Sequence, residues 1–417
     1  MHSRTLTMIS GMTLLAAMAV AVPLPAQEQH GGSEATVSSP GAILRTPRGT
    51  RGSLPGTLGW QQNAGRPLTG QETRTPDAAF RKVAEGAPSP HIVTFDIPHA
   101  GKGYFQGTIP VINNTAGAIT GYYVDSQNAS HGFLRATDGS ITTFDPPGAG
   151  KGSNQGTFPQ GLNNHGTITG YYTDSENVSH GFVRASDGSF TTYDAPGAGP
   201  QAGEGTFGEN INDAGTISGD YEDFRYEYHG FVRSADGTFT TFDAPGAVDT
   251  YVLFTGMTEE GAITGFLYDQ YGTHGYLRSP QGAITRIDIY ESIATLCEGI
   301  TTNETIAGFD QDRDYVYHGF LRGRYGVVIS LDDPLAGSGA YQGTVGYDVN
   351  PGETSTGIYT DPINVVHGFV RTRQGVFTTI DPSGSTGTFP QAINAAGAIP
   401  GFYYDANNSA HGFVWTP

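Results

Sequence analysis

The sequence predicts an all-β fold, a seven-bladed β-propeller made of four-stranded blades. Three observations lead to this prediction: markers that recur seven times, four β-rich runs in each period, and chain ends that lack complementary strands. The composition agrees with many short strands and tight turns, because the 417 residues include 61 glycines, 22 tyrosines and 22 phenylalanines.

Three sequence markers recur in the same order, at spacings of 44 to 49 residues. The first is His-Gly followed by an aromatic residue, at His131, His180, His229, His274, His318, His367 and His411. The second is an Asp that follows an aromatic or aliphatic residue, at Asp96, Asp145, Asp194, Asp243, Asp288, Asp332 and Asp381. The third is the glycine of segments such as GTITGYY, at Gly121, Gly170, Gly219, Gly265, Gly308, Gly357 and Gly401. The three markers agree on seven units.

Each period contains four short runs of strand-forming residues, which in the second copy read GTFPQGLNN, GTITGYYTD, HGFVRA and GSFTTYD. Turn signals of the types N-N-x-G and D-G separate these runs, and no helical period lies between them. Four strands in a period of this length are typical of one propeller blade.

The chain ends predict how the ring closes. The array opens with a lone outer strand, HIVTFD at 91–96, and ends soon after a third strand, HGFVW at 411–415. If the two segments pair, they complete the seventh blade and bury two edges that would otherwise promote aggregation. An open solenoid would leave both edges exposed.

Residues 1–26 have the pattern of an export signal, with Arg4 before the apolar run MISGMTLLAAMAVAVPLPA and expected cleavage after Ala26. A membrane anchor is the alternative, but Pro23 and Pro25 lie in a run barely long enough to span. No cysteine follows the run, so a lipoprotein is not predicted. We expect a secreted, periplasmic or cell-surface protein without a transmembrane segment after signal removal.

Residues 27–90 are rich in Gly, Pro, Thr and Ser and are predicted to be a disordered spacer before the propeller at 91–417. The formal charge of −19 repels phosphate, which argues against nucleic acid and anionic membranes as partners. The one cysteine, Cys297, is expected to be a small buried apolar residue, and the protein is expected to be a monomer.

The segment INDAGTISGDYEDFRYEYHGFVRSADGTFTTFDAPGA resembles the extracellular HAF-type repeats of bacterial secreted proteins. The family's units run Ile-Asn-x-x-Gly, a Gly-Tyr segment, His-aromatic-Phe and a closing Asp-Gly turn, and here HGF replaces HAF. The resemblance covers about residues 91–417 and implies export and a β-rich repeat. It implies no catalytic residue.

Every unit also places an aspartate shortly before its histidine, at Asp125, Asp174, Asp223, Asp269, Asp312, Asp361 and Asp405. We expect each carboxylate to accept a hydrogen bond from its histidine across the loop between the second and third strands. A metal at each pair is disfavoured, because one Asp and one His leave an incomplete shell and neighbouring blades are ~10 Å apart. A single calcium is the alternative, but the sequence predicts no metal site and no cofactor.

The aspartates of the TFD marker and the asparagines before the tight turns are predicted to be turn formers. The asparagines are Asn114, Asn163, Asn212, Asn350 and Asn394. No Ser-His-Asp array, phosphate-binding glycine loop or nucleophile elbow is present in the sequence. Residues repeated around a ring are therefore interpreted as scaffold.

Function is expected where the copies differ, on the longer variable loops. The candidate binding residues there are Lys102, Tyr104, Glu204, Arg225, Tyr226, Tyr251, Asp312 and Arg313. They predict a non-catalytic binding module for a glycan, a peptide or a protein. The alternative is a hydrolase or lyase acting on an extracellular polysaccharide, with Glu204 as a general base where other units carry Gln106, Gln155 and Gln342.

Overall fold

A computed structural model describes residues 91–417 and the backbone of residues 74–75. The predicted signal peptide and the rest of the predicted spacer lie outside the described residues. Residues 91–417 contain strands and turns but no helix, which confirms the all-β prediction. Accordingly, no helix that is long and apolar enough to cross a membrane occurs in the described part of the chain.

Strands β3 to β29, together with β2, form seven units of four strands within residues 91–417. The first strands of units 1 to 7 are β3 (Gly107–Asn113), β7 (Gly156–Leu162), β11 (Gly205–Ile211), β15 (Asp249–Met257), β19 (Ala294–Ile300), β23 (Gly343–Val349) and β27 (Gly387–Pro390). The second strands are β4 (Ile119–Val124), β8 (Ile168–Thr173), β12 (Ile217–Glu222), β16 (Ile263–Asp269), β20 (Ile306–Gln311), β24 (Ser355–Thr360) and β28 (Ile399–Tyr404).

The third strands carry the His-Gly-aromatic marker. They are β5 (Ser130–Arg135), β9 (Ser179–Arg184), β13 (Tyr228–Arg233), β17 (Gly272–Arg278), β21 (Tyr317–Arg322), β25 (Val366–Arg371) and β29 (Ala410–Thr416). The fourth strands are β6 (Ile141–Phe144), β10 (Phe190–Tyr193), β14 (Phe239–Phe242), β18 (Ile284–Ile287), β22 (Val328–Ser330), β26 (Phe377–Ile380) and, for unit 7, β2 (His91–Phe95).

The seventh unit is completed by the segment that opens the array. β2 pairs antiparallel with β29, with His91 opposite Thr416 and Phe95 opposite Gly412. This register confirms the predicted pairing of residues 91–96 with the last strand. Ile92 packs in the apolar cluster around Phe413, and Phe95 packs in the next cluster, around Phe133 of unit 1.

Each unit packs against its neighbour, and the seventh packs against the first. A parallel bridge joins Ser130 of unit 1 to Gly156 of unit 2, and the equivalent bridge joins Ala410 of unit 7 to Gly107 of unit 1. In units 1 to 6 the first strands of neighbouring units contact one another, and β27 of unit 7 contacts β24 and β25 of unit 6, whereas the fourth strands form the outer edges. The strands therefore surround an axis lined by the first strands.

The apolar core lies between adjacent units and is made by the repeated aromatic residues. The aromatic residue of the His-Gly-aromatic marker is fully buried in every unit, at Phe133, Phe182, Phe231, Tyr276, Phe320, Phe369 and Phe413. Phe182 of unit 2 packs with Phe144 of unit 1, so each unit supplies part of the core of the next. Cys297 is also fully buried, as predicted.

In units 1 to 3 the glycine of the His-Gly-aromatic marker makes room for the aromatic ring that ends the fourth strand. A Cβ atom on Gly181 would lie 2.2 Å from the ring of Tyr193, and one on Gly230 would lie 2.4 Å from Phe242. Such distances are far below van der Waals contact. Glycine at these positions therefore avoids a clash that a larger residue would produce.

The repeated asparagines form the predicted turns and also link the units. Asn163 Oδ1 accepts the N–H of Thr167 within its own turn, and its Nδ2 donates to the carbonyl of Asn212 in the next unit. The same link runs from Asn394 of unit 7 to the carbonyl of Asn114 in unit 1. These bonds tie the last unit to the first at the end of the ring that carries the short turns.

One element lies within the predicted spacer. The two-residue strand β1 (Arg74–Thr75) pairs in parallel with β22, with Arg74 opposite Val328 and Thr75 opposite Ile329. The fourth strand of unit 5 therefore has a partner on its outer side.

Candidate functional site

The loops that differ most between units lie at one end of the ring, which we call the loop face. It consists of the loops between the second and third strands and the loops that lead from a fourth strand to the next first strand. Because successive strands within a unit are antiparallel, both kinds of loop emerge at the same end. The loop face is therefore the place to look for the predicted binding residues.

Each repeated histidine lies between two aspartates on the loop face. In unit 2, His180 Nδ1 is 2.8 Å from Asp194 Oδ1, while Nε2 is 3.5 Å from Asp174 Oδ2. Over the seven units the Nδ1 distance to the TFD aspartate is 2.6 to 3.3 Å. The distance from Nε2 to the other aspartate is 3.2 to 3.7 Å. The closer partner is therefore usually the TFD aspartate.

The predicted hydrogen bond between the histidine and the preceding aspartate is present in units 1, 4 and 5, at 3.2 to 3.4 Å, but the two aspartates otherwise exchange the roles that the sequence suggested. Asp174 Oδ1 accepts the backbone N–H groups of Glu176 and Val178, so this aspartate is the turn former. Asp125, Asp223, Asp312, Asp361 and Asp405 accept amides at the same two offsets, and Asp269 accepts those of Tyr271 and Gly272. The TFD aspartate, predicted to form the turn, instead orients the histidine.

These contacts stabilise charge on two of the histidines. The hydrogen bond with Asp145 raises the pKa of His131, although burial of the ring opposes the shift. Asp194 raises the pKa of His180 in the same way. The ring of His180 also stacks on Tyr172, with centroids 5.1 Å apart. The repeated His–Asp pairs thus have the contacts expected of scaffold.

Between units 1 and 2, 2 and 3, 5 and 6, and 7 and 1, the loop face contains a hydrogen-bonded pair of residues with positive φ, one from each unit. Between units 1 and 2, Asn154 donates its N–H to the carbonyl of Asn128, and their φ values are 63° and 64°. Asparagine tolerates this left-handed conformation, but bulky side chains do so only with strain. Asparagine at these positions therefore agrees with a purely structural role.

Two tyrosines take these positions between units 5 and 6. Tyr341 donates its N–H to the carbonyl of Tyr315 at 2.7 Å, and both residues have φ of 64°. Each is 49% exposed, and their ring centroids are 5.8 Å apart. Two aromatic rings are therefore held side by side in solvent by strained backbone. We call them the Tyr315–Tyr341 platform.

A second aromatic group lies between units 7 and 1. Tyr104 is 66% exposed, and its ring centroid is 4.0 Å from that of Phe105, a residue with φ of 57°. Phe105 in turn contacts Tyr404 at 5.4 Å. Lys102 lies in the same loop and lines a shallow cleft with Asp125 and His131. Tyr104 and Lys102 are therefore placed on the loop face, as predicted.

The other predicted binding residues are only partly brought together. Arg225 and Tyr226 are exposed in the unit 3 loop, where the Arg225 guanidinium lies over the Phe224 ring at 5.2 Å. Arg313 is exposed in the unit 5 loop that carries Tyr315, and Asp312 holds the turn of that loop. Tyr251 lies in strand β15, stacked between Tyr228 and Phe266, rather than in a loop.

Glu204 is fully buried, and its Oε2 accepts the N–H of Gln201. The equivalent Gln155 accepts a similar amide bond, and its Nε2 donates to Asn177 Oδ1. Unit 3 has Tyr226 in place of that asparagine. A glutamine at position 204 would therefore lack the side-chain acceptor that Asn177 gives to Gln155. This placement gives no support to Glu204 as an accessible general base.

Sequence reasoning missed two carboxylates of unit 3 that lie near the axis. Asp220 occupies the second-strand position that Tyr122 and Tyr171 hold in units 1 and 2, and its Oδ2 accepts the N–H of Val252 at 2.9 Å. Burial, reinforced by Glu222, raises the pKa of Asp220 to about 8. Burial and the charge of Asp220 also raise the pKa of Glu209 well above its usual value.

A second pair of buried carboxyls links units 5 and 6. Burial, followed by the charge of Asp348, raises the pKa of Glu298 to about 8. Burial raises the pKa of Asp348 to about 7, although it accepts the N–H groups of Ile393 and Val349, both at 2.8 Å. The signal that could have found both pairs is a position-by-position comparison of the units, because acids stand where other copies carry apolar or amide residues.

Among the described residues, one group of three metal-ligating side chains comes close enough to share an ion. It consists of Asp223, Glu227 and His229 in unit 3, whose ligand atoms all lie within 4.8 Å of one another. Five of the other units have Ala, Val or Ser where unit 3 has Glu227.

No protein-family model matches the chain. No curated protein matches its sequence. Among solved structures, virginiamycin B lyase from Staphylococcus aureus is similar with a TM-score of 0.52 and 13% identity, covering 78% of this chain and 99% of that one. At this identity the likeness concerns the fold alone.

Two further solved structures are similar with TM-scores below 0.5. They are the BP39L lectin from Burkholderia pseudomallei, with a TM-score of 0.48 and 8% identity over 76% of this chain and 99% of that one, and the β-propeller domain of the Trilobed protease from Pyrococcus furiosus, with 0.47 and 10% over 75% and 96%. The ring of antiparallel four-stranded units is itself the arrangement of a β-propeller, and we use that name for the fold.

Proposed function

We propose that the protein is an exported, monomeric, seven-bladed β-propeller that binds a carbohydrate on its loop face without transforming it. The observation that carries the proposal is the Tyr315–Tyr341 platform, in which two exposed rings lie side by side on residues with φ of 64°. The aromatic group around Tyr104 and Phe105 supplies a second contact surface on the same face.

The backbone conformation at this platform lowers stability, and a binding role for the rings explains why it is present. A non-glycine residue in the left-handed region costs about 1–3 kcal/mol, and such strain clusters at ligand clamps. The aligned units show that asparagine fits the same two positions, at Asn128 and Asn154. Tyrosine at these positions adds strain and exposes apolar surface. Its ring faces are then available to bind a ligand.

The chemistry of the face favours a neutral or basic glycan. The C–H groups of a pyranose ring carry slight positive charge and pack on the electron-rich face of an aromatic ring. Carboxylates such as those of Asp125 and Asp312 accept hydrogen bonds from sugar hydroxyls. The net charge of −19 disfavours polyanionic polysaccharides, as it does nucleic acids.

A glycan array probed with the whole chain tests the proposal, followed by Kd measurement for the best ligand. Tyr315→Asn and Tyr341→Asn introduce the asparagines found between units 1 and 2, so we expect folding to be retained and the Kd to rise about tenfold for each lost stacking contact. Tyr325→Asn is the matched control, because Tyr325 is 92% exposed but lies in a short turn at the opposite end of the ring. Unchanged affinity in the two platform variants would refute the proposal.

A hydrolase or lyase acting on an extracellular polysaccharide is the second candidate, and the Glu209–Asp220 pair favours it. A carboxyl whose pKa is raised by burial keeps its proton near neutral pH and can donate it as a general acid. Incubation of the best-bound glycan with the protein should release reducing or unsaturated ends if this candidate holds. The activity should disappear in Asp220→Asn, and a glycan that stays intact removes the candidate.

The seven-bladed ring is testable by two deletions. Deleting residues 27–89 removes only the two-residue pairing of β1 with β22, so it should change the melting temperature little, because β2 remains. Deleting 27–96 removes the β2–β29 ladder and the packing of Ile92 and Phe95. Each hydrogen bond contributes ~1 kcal/mol and each apolar side chain ~1.5–3 kcal/mol, against a total stability of ~5–15 kcal/mol. Equal melting temperatures would contradict closure through β2.

Export and the relation to HAF-type repeats are part of the proposal. They rest on the apolar run within residues 1–26 and on the HGF units of residues 91–417. N-terminal sequencing of protein collected outside the cytoplasm should begin near Gln27. Protein that keeps residues 1–26 and stays in the cytoplasm would contradict export.

A further inference from the structure

We infer that the unit 3 loop contains a binding site for a divalent metal ion of the zinc class, with Asp223, Glu227 and His229 as ligands. The site goes beyond carbohydrate binding and does not depend on it. Its ligand atoms lie within 4.8 Å of one another, so shifts of about an ångström bring them to the ~3.4 Å spacing around a tetrahedral ion with bonds of ~2.1 Å.

The histidine is already oriented as a metal ligand. His229 Nδ1 is 2.7 Å from Asp243 Oδ1, and the ring stacks on Tyr221 with centroids 5.0 Å apart. A carboxylate that holds Nδ1–H leaves Nε2 with its lone pair directed away, which is the usual support for a zinc-bound histidine. Nε2 lies 3.7 Å from Asp223 Oδ2, beyond hydrogen-bonding distance and near the ligand spacing of a shared ion.

In six of the units the histidine lies six residues after the loop aspartate, and among these only unit 3 has a ligand residue at the position of Glu227. The residues at the position of Glu227 are Ala129, Val178, Val316, Val365 and Ser409 in units 1, 2, 5, 6 and 7. One Asp and one His make an incomplete shell, which is the reason the sequence did not predict metal sites. Glu227 removes that objection in one unit, and water completes a fourth position.

Unit 4 independently indicates that this place accepts a cation. Its Asp269, His274 and Asp288 are the equivalents of Asp223, His229 and Asp243. There Arg286 lies between the two carboxylates, with Nη1 3.0 Å from Asp269 Oδ2 and Nε 2.8 Å from Asp288 Oδ2. Unit 3 has the neutral Thr241 at the position of Arg286, so its carboxylates have no such built-in cation.

The ligand set selects the kind of ion. Imidazole nitrogen with two carboxylate oxygens suits Zn²⁺ and related transition metals. Calcium and magnesium prefer all-oxygen shells, so they should bind this site poorly.

Zn²⁺ binding to the full chain tests the inference, by calorimetry and by metal analysis after dialysis. Glu227→Val converts the site to the pattern of unit 2, and we expect it to lower the zinc content by one ion per chain or the affinity at least tenfold. Val178→Glu is the reciprocal variant and should add one ion in unit 2. Melting curves in EDTA show whether both variants remain folded.

The outcomes separate a built site from incidental zinc binding by the many histidines. Loss in Glu227→Val with gain in Val178→Glu supports the inference, as does anomalous density at the zinc edge ~2.0–2.1 Å from His229 Nε2. Equal zinc stoichiometry and affinity in wild type and Glu227→Val, with both folded, would overturn it. Competition by millimolar Ca²⁺ at this site would overturn the assignment to the zinc class.

Discussion

Units 2 and 3 have the same strand spacing but differ in many side chains, so comparing them separates scaffold from function. Their first strands begin 49 residues apart, at Gly156 and Gly205, and their histidines, His180 and His229, keep the same spacing. Both histidines bond to a TFD aspartate, at 2.8 and 2.7 Å. Both units have the same buried phenylalanine between neighbours, and their turn asparagines bond to the following unit.

The two units differ where side chains face the axis or the loop face. Unit 3 has acids at five such positions where unit 2 has amide, aromatic or small residues: Gln155 is replaced by Glu204, Gln160 by Glu209, Tyr171 by Asp220, Thr173 by Glu222 and Val178 by Glu227. A sixth replacement, Asn164 by Asp213, lies in a short turn at the opposite end of the ring. Unit 3 also replaces Asn177 by Tyr226 and Ser179 by Tyr228. The register between the first two strands is the same in both units. The substitutions therefore change the side-chain chemistry and keep the strand pairing. The repeat therefore carries stability, and the departures from it carry specificity.

The largest expected effect tests the shared frame. Phe182→Ala and Phe231→Ala each empty a fully buried position between units and should cost about 3–5 kcal/mol in free energy of unfolding. Denaturant titration measures both. A cost that is large in one unit and near zero in the other would break the equivalence of the two frames.

This frame was predictable from the sequence because its markers recur. The histidine's main partner was also within reach. Strands β9 and β10 are antiparallel, with Gly181 opposite Tyr193, so His180 and Asp194 at the next positions face each other. Sequence spacing alone drew attention to the nearer Asp174, although an aspartate next to a turn bonds first to the turn's own amides.

The site was less predictable, for physical reasons. Asp220 and Glu298 belong to no catalytic motif, and their raised pKa values come from burial that only the packed ring creates. The Tyr315–Tyr341 platform joins two loops that are separated in sequence and meet only where units 5 and 6 touch. Glu227 becomes a ligand candidate only when three atoms are seen to converge.

A middle-sized effect concerns the glycine shared by both units. Gly181→Ala and Gly230→Ala place a Cβ 2.2 and 2.4 Å from aromatic rings that end the fourth strands. We expect each to lower the free energy of unfolding by about 1–3 kcal/mol through overpacking. Thermal melts of both variants check this, and a neutral effect would mean that the rings shift freely.

The pH dependence of stability should distinguish the units. The pKa of Asp220 is about 8 in the folded protein and ~4 when unfolded, so the folded state holds a proton that the unfolded state releases between these values. Stability should therefore fall as pH rises from about 4 to 8, by at most ~1.4 kcal/mol per pH unit. Asp220→Asn keeps an acceptor for the Val252 N–H and should flatten this slope. If stability fell with pH equally steeply in the wild type and in Asp220→Asn, Asp220 would not be a buried, protonated carboxyl.

The smallest effect concerns the left-handed position of the loop. Tyr226 has φ of 65°, and Asn177 has φ of 64° at the same place. Tyr226→Asn should relieve strain and raise the free energy of unfolding by about 0.5–1 kcal/mol. Asn177→Tyr should cost more than this, because Gln155 Nε2 loses an acceptor at Asn177 Oδ1. Denaturant titration of the two variants measures both effects. A lower free energy of unfolding in Tyr226→Asn than in the wild type would contradict the strain at Tyr226.

An exchange of loop residues between the two units tests most directly whether the repeat carries the fold and the departures carry the function. Residues 224–227, Phe-Arg-Tyr-Glu, are replaced by Ser-Glu-Asn-Val from 175–178, with Tyr228 retained because it packs on Phe207 and Tyr251. We predict a melting temperature in EDTA equal to or above that of the wild type, together with loss of one zinc ion per chain. A drop of more than about 4 °C, corresponding to ~1 kcal/mol or more, or zinc binding that stays unchanged, would contradict the account.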